Sequence, residues 1–236
     1  GNGKAAHAKV VGDQETYTDT TYSTCDPDDR RWEIRGKQID IDRSKGVGKA
    51  HHATVRIGDV PVLYLPYFTF PLDNQRKSGF LSPSFGQSSN GGFLFTLPYY
   101  LNLAPNYDAT LTPRLYGSRG LMIDGEFRFL TKSSHGSINA DWLPKDSQRG
   151  YDRGSVFIKD TTNLSPNWYA ATDLSYVSDN HFFEDFSNQR FGSAIGLLPS
   201  TAGVYGRGHY WTAGLFAQTW EVTDPSLSDA SAPYRR

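Results

Sequence analysis

Four groups of residues in this 236-residue chain are of types that could do chemistry. Cys25 could serve as a thiol nucleophile, and His51-His52 could ligate a metal. Glu184-Asp185, and Asp124 with Glu126, could each be a carboxylate pair for glycoside hydrolysis. Spacing and surroundings argue against every one. Adjacent residues of a strand point to opposite faces, so the two histidines do not easily share one ion. Glu184-Asp185 falls in an expected loop with aromatics on both sides. Asp124 and Glu126 sit on the polar face of an expected strand beside Arg128, which suits a solvated wall better than a tuned acid. Cys25 has no local nucleophile signature and no second cysteine in the chain, so it is a free thiol or pairs with a cysteine elsewhere. No glycine-rich stretch has phosphate-cradle spacing ahead of a helix. The expectation is a protein that is not an enzyme and uses no metal and no cofactor.

The elements that hold these residues read as strands. The chain has 14 Tyr, 14 Phe and 5 Trp, and its 23 Gly and 13 Pro recur along the whole length as turns do. A net charge of −1 gives no global field for nucleic acid. No window is apolar for the roughly 18 residues of a transmembrane helix, a test that strands of a membrane barrel escape because they alternate and average out as polar.

An internal repeat lies in the first quarter: Gly3-Lys4-Ala5-Ala6-His7-Ala8 returns as Gly48-Lys49-Ala50-His51-His52-Ala53, each copy closing at a Gly-Asp pair. Between the copies Trp32, Ile34, Ile39 and Ile41 alternate with polar residues, and a small sheet stack or jellyroll is expected with the two copies on equivalent strands running the same way. Residues 61–71 carry prolines between Tyr64, Tyr67, Phe68 and Phe70 and read as a stiff connector, with the domain boundary there: 1–70 and 71–236. From Ser78 onward strands of about ten residues follow, about nine in all. Leu111, Leu115, Ile123, Phe127 and Phe129 should face outward, and Asp108, Thr110, Arg114, Asp124, Glu126 and Arg128 inward. Ten residues rising about 3.3 Å each and tilted near 40° span roughly 25 Å, the height of the apolar band of an outer-membrane barrel. Short and long connections tend to alternate, as turns and external loops of such barrels do.

Several segments carry a resemblance. Tyr22-Ser23-Thr24-Cys25-Asp26-Pro27, Val60-Pro61-Val62-Leu63-Tyr64-Leu65-Pro66-Tyr67, Arg76-Lys77-Ser78-Gly79-Phe80-Leu81-Ser82-Pro83, Leu97-Pro98-Tyr99-Tyr100 and the run from Ala104 to Pro113 are similar, in order and spacing, to the lipopolysaccharide-assembly (LptD) family. The resemblance covers roughly residues 1–190 and implies an internal fragment. The fold it implies is all-β: the C-terminal part of a periplasmic β-jellyroll followed by the first antiparallel strands of a large outer-membrane β-barrel in a Gram-negative bacterium. It implies lipopolysaccharide as cargo, the lipoprotein LptE as barrel plug, a periplasmic LptA-type bridge as donor, and contact with outer-membrane lipids. It makes Pro83 and Pro98 elements of a lateral gate, and pairs Cys25 with a cysteine in the far C-terminal part of the family's chain. Trp32, Ile34, Ile39, Ile41, Val55 and Ile57 become candidates for a groove that shields acyl chains, at about 0.8 kcal/mol per buried methylene. A soluble all-β carbohydrate-binding module or glycosidase, and a general porin, are the competing readings; the porin leaves the repeat and the proline-rich stretch unexplained.

Overall fold

A computed structural model describes residues 2–23, 32–71, 76–81, 83–186 and 196–227. The chain divides into two compact units, Gly1–Leu81 and Ser82–Arg236.

The first unit is an antiparallel sheet in the order β1 (Asn2–Val11), β2 (Gln14–Ser23), β3 (Trp32–Asp42), β4 (Val47–Ile57) and β5 (Val60–Pro71), with a short β6 (Gly79–Phe80) after it. Gly12 and Gly58 turn the chain at positive φ, +59° and +54°, which a side chain would resist. The expected connector at 61–71 is instead a strand: β5 pairs with β4 from Ile57↔Val60 to Val47↔Pro71. Its prolines are accommodated because β5 ends the order of this sheet, and a proline lacks a donor on one side only. The two repeat copies do occupy strands of one sheet, β1 and β4, but these run in opposite senses, since three antiparallel steps separate them. Their environments differ too. Ala50 and Ala53 are fully buried in the interior strand, whereas Ala5 and Ala8 are exposed on β1.

Strand alternation breaks in the middle of β3. Ile34 and Ile39, five residues apart, would fall on opposite faces of a regular strand, yet both pack against Ala50 and Ala53 with Leu65 and Phe80. The ladders pass from Thr18↔Gln38 to Thr20↔Gly36 and from Gly36↔Ala53 to Gln38↔His51, skipping Asp19, Lys37 and His52. Asp19 and His52 hold φ of +49° and +50°. The kink turns both halves of β3 toward one core, at a backbone cost of order 1–3 kcal/mol for each such residue.

The second unit is an antiparallel meander: β7 (Ser84–Ser88), β8 (Gly92–Thr96), β9 (Tyr99–Ala104), β10 (Tyr107–Tyr116), β11 (Gly120–Leu130), β12 (Ser134–Leu143), β13 (Arg153–Ser165), β14 (Trp168–Val177), α1 (Phe182–Asp185), β15 (Leu197–Arg207) and β16 (Thr212–Val222). Strand β8 pairs with β7 and β10, β9 pairs with β10, and from β10 to β16 each strand pairs with the next. Counted as one strand interrupted at Leu97-Pro98, β8 and β9 bring the described residues of this unit to nine strands, in line with the expected number of about nine. Connections at one end are short (105–106, 131–133, 166–167, 208–211), and the other end carries the long ones (144–152, 178–196).

Candidate functional site

The two faces of the second sheet are inverted relative to a soluble protein. Asp108 and Asp124 are 4% and 6% exposed, while Leu111 and Leu115 on the same strand or its partner's other face are each 45% exposed. Register explains it. Asp108↔Arg128, Thr110↔Glu126 and Thr112↔Asp124 stand opposite one another on one face, and Leu111, Leu115, Ile123, Phe127 and Phe129 fall on the other. The polar row continues through Asp124↔Asp141 and Asp141↔Ser155. Its charges are paired: Arg128 donates to both oxygens of Asp108 (2.8 and 2.9 Å), Tyr100 Oη donates to Asp108 (3.1 Å), Arg114 donates to Asp124 (3.0 Å), and Ser155 Oγ donates to Asp141 (2.6 Å). Asp124, weighed above as a catalytic acid, is thus ion-paired in this wall, and Glu126 stands in the same row opposite Thr110 and Asn139. The apolar face continues along the meander with Leu121, Ile138, Trp142, Val156, Leu174, Tyr176 and Val204, all exposed. The inward and outward sets expected from alternation share faces as expected.

Near the long connections the polar face becomes apolar. Tyr116, Met122, Leu143, Phe157, Val177 and Leu198 form a cluster that Phe182, Phe183 and Phe186 of the α1 segment cover. Beside it lies a buried ionic network that sequence reasoning missed. Arg153, with no exposed side-chain surface, donates to Asp146 (3.0 Å), Asp185 (2.6 Å) and Asp179 (2.7 and 2.8 Å). Arg119 donates to Asp146 (2.7 Å) and Asp185 (2.6 Å), and Arg149 donates to Asp185 (3.1 Å). Both Arg119 and Arg153 also lie over the Phe186 ring. Burial pushes the Asp146 carboxyl up, but bonds from the Gln148 N–H, Arg153 and Arg119 outweigh it and hold the group below its ordinary value. Asp179 is held low in the same way, burial being outweighed by Arg153 and Ser178. The only signal in the sequence was that Asp146, Arg149, Asp179 and Asp185 sit in the two long connections; Arg119, in the short turn before β11, and Arg153, at the start of β13, carried none. Glu184 and Asp185 part company: Glu184 bonds His181, and Asp185 joins the network.

Pro83 stands just ahead of β7, and Pro98 sits in the gap between β8 and β9. Strands β7 and β8 pair from Ser84↔Thr96 to Ser88↔Gly92 around the turn at 89–91, and β7 ends the sheet order. In the first unit, Ile34↔Val55, Trp32↔Ile57, Ile39↔Ala50 and Ile41↔Gly48 bring the candidate groove residues onto neighbouring registers of β3 and β4. Val55 is buried, and Ile34, Ile39 and Ile41 are half-buried. Cys25 lies outside the described residues. Among the described residues no group of three His, Cys, Asp or Glu side chains could hold a metal, and His51 instead meets Asp40 at 3.2 Å. No helix among them is long and apolar enough to cross a membrane, which says nothing of strands.

Comparison with known proteins gives two family matches. A family described as "LptD protein" matches residues 50–178, and one described as "LPS transport system D" matches residues 151–236. The chain is 45% identical to the LPS-assembly protein LptD of Xanthomonas oryzae pv. oryzae over its whole length, which is 29% of that relative. It is 44% identical to the protein of the same description in Xylella fastidiosa, again over its whole length and 30% of the relative. The chain therefore spans about three tenths of the length of the curated relatives it matches.

Proposed function

The chain belongs to the LptD protein family, and from that premise we propose that it is part of the route by which lipopolysaccharide reaches the outer leaflet of the outer membrane of a Gram-negative bacterium. The observation that carries this reading is the inverted second sheet, with buried, arginine-paired carboxylates on one face and exposed Leu, Ile, Trp and Val on the other. An apolar face of that extent is stable against acyl chains, where each strand's backbone groups are satisfied by its neighbours. A soluble carbohydrate-binding module would need the opposite arrangement.

In this reading Ser82–Arg236 contributes the first strands of a barrel, with the short connections on the periplasmic side and the long ones outside. Gly1–Leu81 is jellyroll, in which Trp32, Ile34, Ile39, Ile41, Val55 and Ile57 supply the apolar track for acyl chains. The reaction is passage of a lipid, with no covalent step. LptE fills the barrel, an LptA-type bridge delivers cargo to the jellyroll, and Cys25 pairs with a cysteine in another part of the full-length protein. Pro83 and Pro98 act at the seam, since each removes a ladder donor next to the terminal strand β7.

Depleting the full-length protein from cells should stop newly made lipopolysaccharide from appearing at the surface; continued arrival would sink the transport reading. The seam has its own test. Pro83→Ala with Pro98→Ala restores two potential donors, each hydrogen bond contributing about 0.5–1.5 kcal/mol, and should slow arrival. Unaltered arrival through a normally assembled barrel would remove the prolines from the gate.

A further inference from the structure

The described residues of the second unit contain a third proline at the level of Pro83 and Pro98, and a set of ties at the far end of the same hairpin. Continuing the Ser84↔Thr96 register places Pro83 opposite Leu97, and continuing Arg114↔Thr96 places Leu97 opposite Pro113 of β10. Leu97 N–H donates to the Pro113 carbonyl (3.3 Å), and Pro113 has no N–H to return. A residue's N–H and C=O point to the same side of an antiparallel strand, so the donor lost at Pro113 is lost only toward β8 and β9. On its other side β10 pairs with β11 without a break from Tyr107↔Phe129 to Tyr116↔Gly120. The base of the β7–β8 hairpin therefore lies on a line of weakened ladders, and the sheet beyond β10 does not.

The tip is held by side chains. Asn90 in its turn donates to the Glu184 carbonyl (2.7 Å), and Arg119 Nε donates to the Asn90 carbonyl (2.8 Å). Ser118 N–H donates to the Gly91 carbonyl (3.1 Å). Arg119 is in turn fixed by Asp146 and Asp185, and both of these are held by Arg153. Thus the turn at 89–91 is tied to the 144–152 connection and to the α1 segment through one buried network.

We propose that the β7–β8 hairpin is a latched flap, hinged at the Pro83, Pro98 and Pro113 level and held shut at its tip by Asn90, Arg119, Asp185 and the Glu184 carbonyl. The proposal rests on the transport reading for its purpose: releasing the tip lets the terminal strand of the seam swing away, and the ionic network sets the closed position. Pro113 and Arg119 are positioning residues that act through the hairpin and touch no cargo.

The test uses the full-length protein with Ser89→Cys and Glu184→Cys, two positions on opposite sides of the tie that contribute no side-chain bond to it. Spin labels there should give one narrow distance distribution in lipid vesicles, and adding Asp185→Asn should broaden it. Because Asp185→Asn could disturb assembly, the decisive arm keeps the network intact and bridges the two cysteines with a reducible bismaleimide. Bridging should lower lipopolysaccharide arrival at the surface by at least about tenfold, the effect of roughly 1.4 kcal/mol on an equilibrium, and reduction should restore it. Normal arrival with the bridge in place overturns the flap, as does a distance distribution that Asp185→Asn leaves narrow in a folded protein. Absence of arrival in the unbridged protein would count against the transport reading, and the distance measurement would still decide the flap.

Discussion

Arg153 shows how much one side chain can carry when it is buried. It has no exposed side-chain surface and bonds Asp146, Asp179 and Asp185, which come from two separate connections. Replacing it with Met roughly keeps the volume, takes from Asp179 its arginine partner, and leaves Asp146 and Asp185 to Arg119 and Arg149. Removing one member of a buried pair costs about 3–5 kcal/mol, and the loss should appear as a lower urea midpoint for folding in lipid vesicles. The pH dependence has a definite sign. Asp146 and Asp179 titrate below their ordinary value, so their contribution is present above about pH 4 and is lost as pH falls through the folded values. The midpoint difference between the native protein and Arg153→Met should stay constant from about pH 8 to about 5 and shrink below about 4; a difference that instead shrank on raising the pH would contradict the network.

At the level of the element, a strand of the second unit is defined by which face each residue takes. A one-residue slip would put Asp108 and Asp124 among Leu111 and Ile123, so the register is strongly specified. Leu111→Arg should cost about 2–4 kcal/mol when the protein is folded into a bilayer, and its neighbour Thr110→Arg far less, as read from urea titrations of the two variants side by side. Close strand approach sets a second constraint. A Cβ at Gly136 would lie 2.2 Å from the Lys159 carbonyl oxygen and 2.8 Å from the Phe129 ring. Gly136→Val should therefore lower the yield of folded protein or shift the β12 backbone, measurable by heat-modifiable migration on gels; unchanged migration and yield would mean the strands part there without cost.

For the whole molecule, the apolar face of the second sheet determines where it can exist. Trp142 is 55% exposed on that face, directly opposite Ile123 of the next strand. With the other tryptophans replaced by Phe, Trp142 fluorescence should be quenched strongly in vesicles whose acyl chains carry bromine. Equal quenching by a water-soluble quencher would place this face in water and return the sheet to the soluble reading. The Gly1–Leu81 unit has a different character among its described residues, with a buried cluster around Ala50 and Ala53 and a kinked sheet.

Periodicity in the sequence was enough for the all-β class, the nine-strand run and the faces of residues 107–129, because a strand's period of two is a local property that any core or bilayer must respect. The recurring motifs were enough for the family. Three things were decided only by tertiary structure. Residues 61–71 form a strand because a neighbouring strand, β4, offers a ladder on the side where their remaining donors point. Ile34 and Ile39 share a core because Asp19 and His52 adopt positive φ at one level of the sheet, which no pattern of residue types marks. Arg119, Asp146, Arg153, Asp179 and Asp185 meet because three connections, up to 66 positions apart in the chain, converge at one end of the meander. Such convergence follows from the pairing order of the strands, so it is invisible in any short window of sequence.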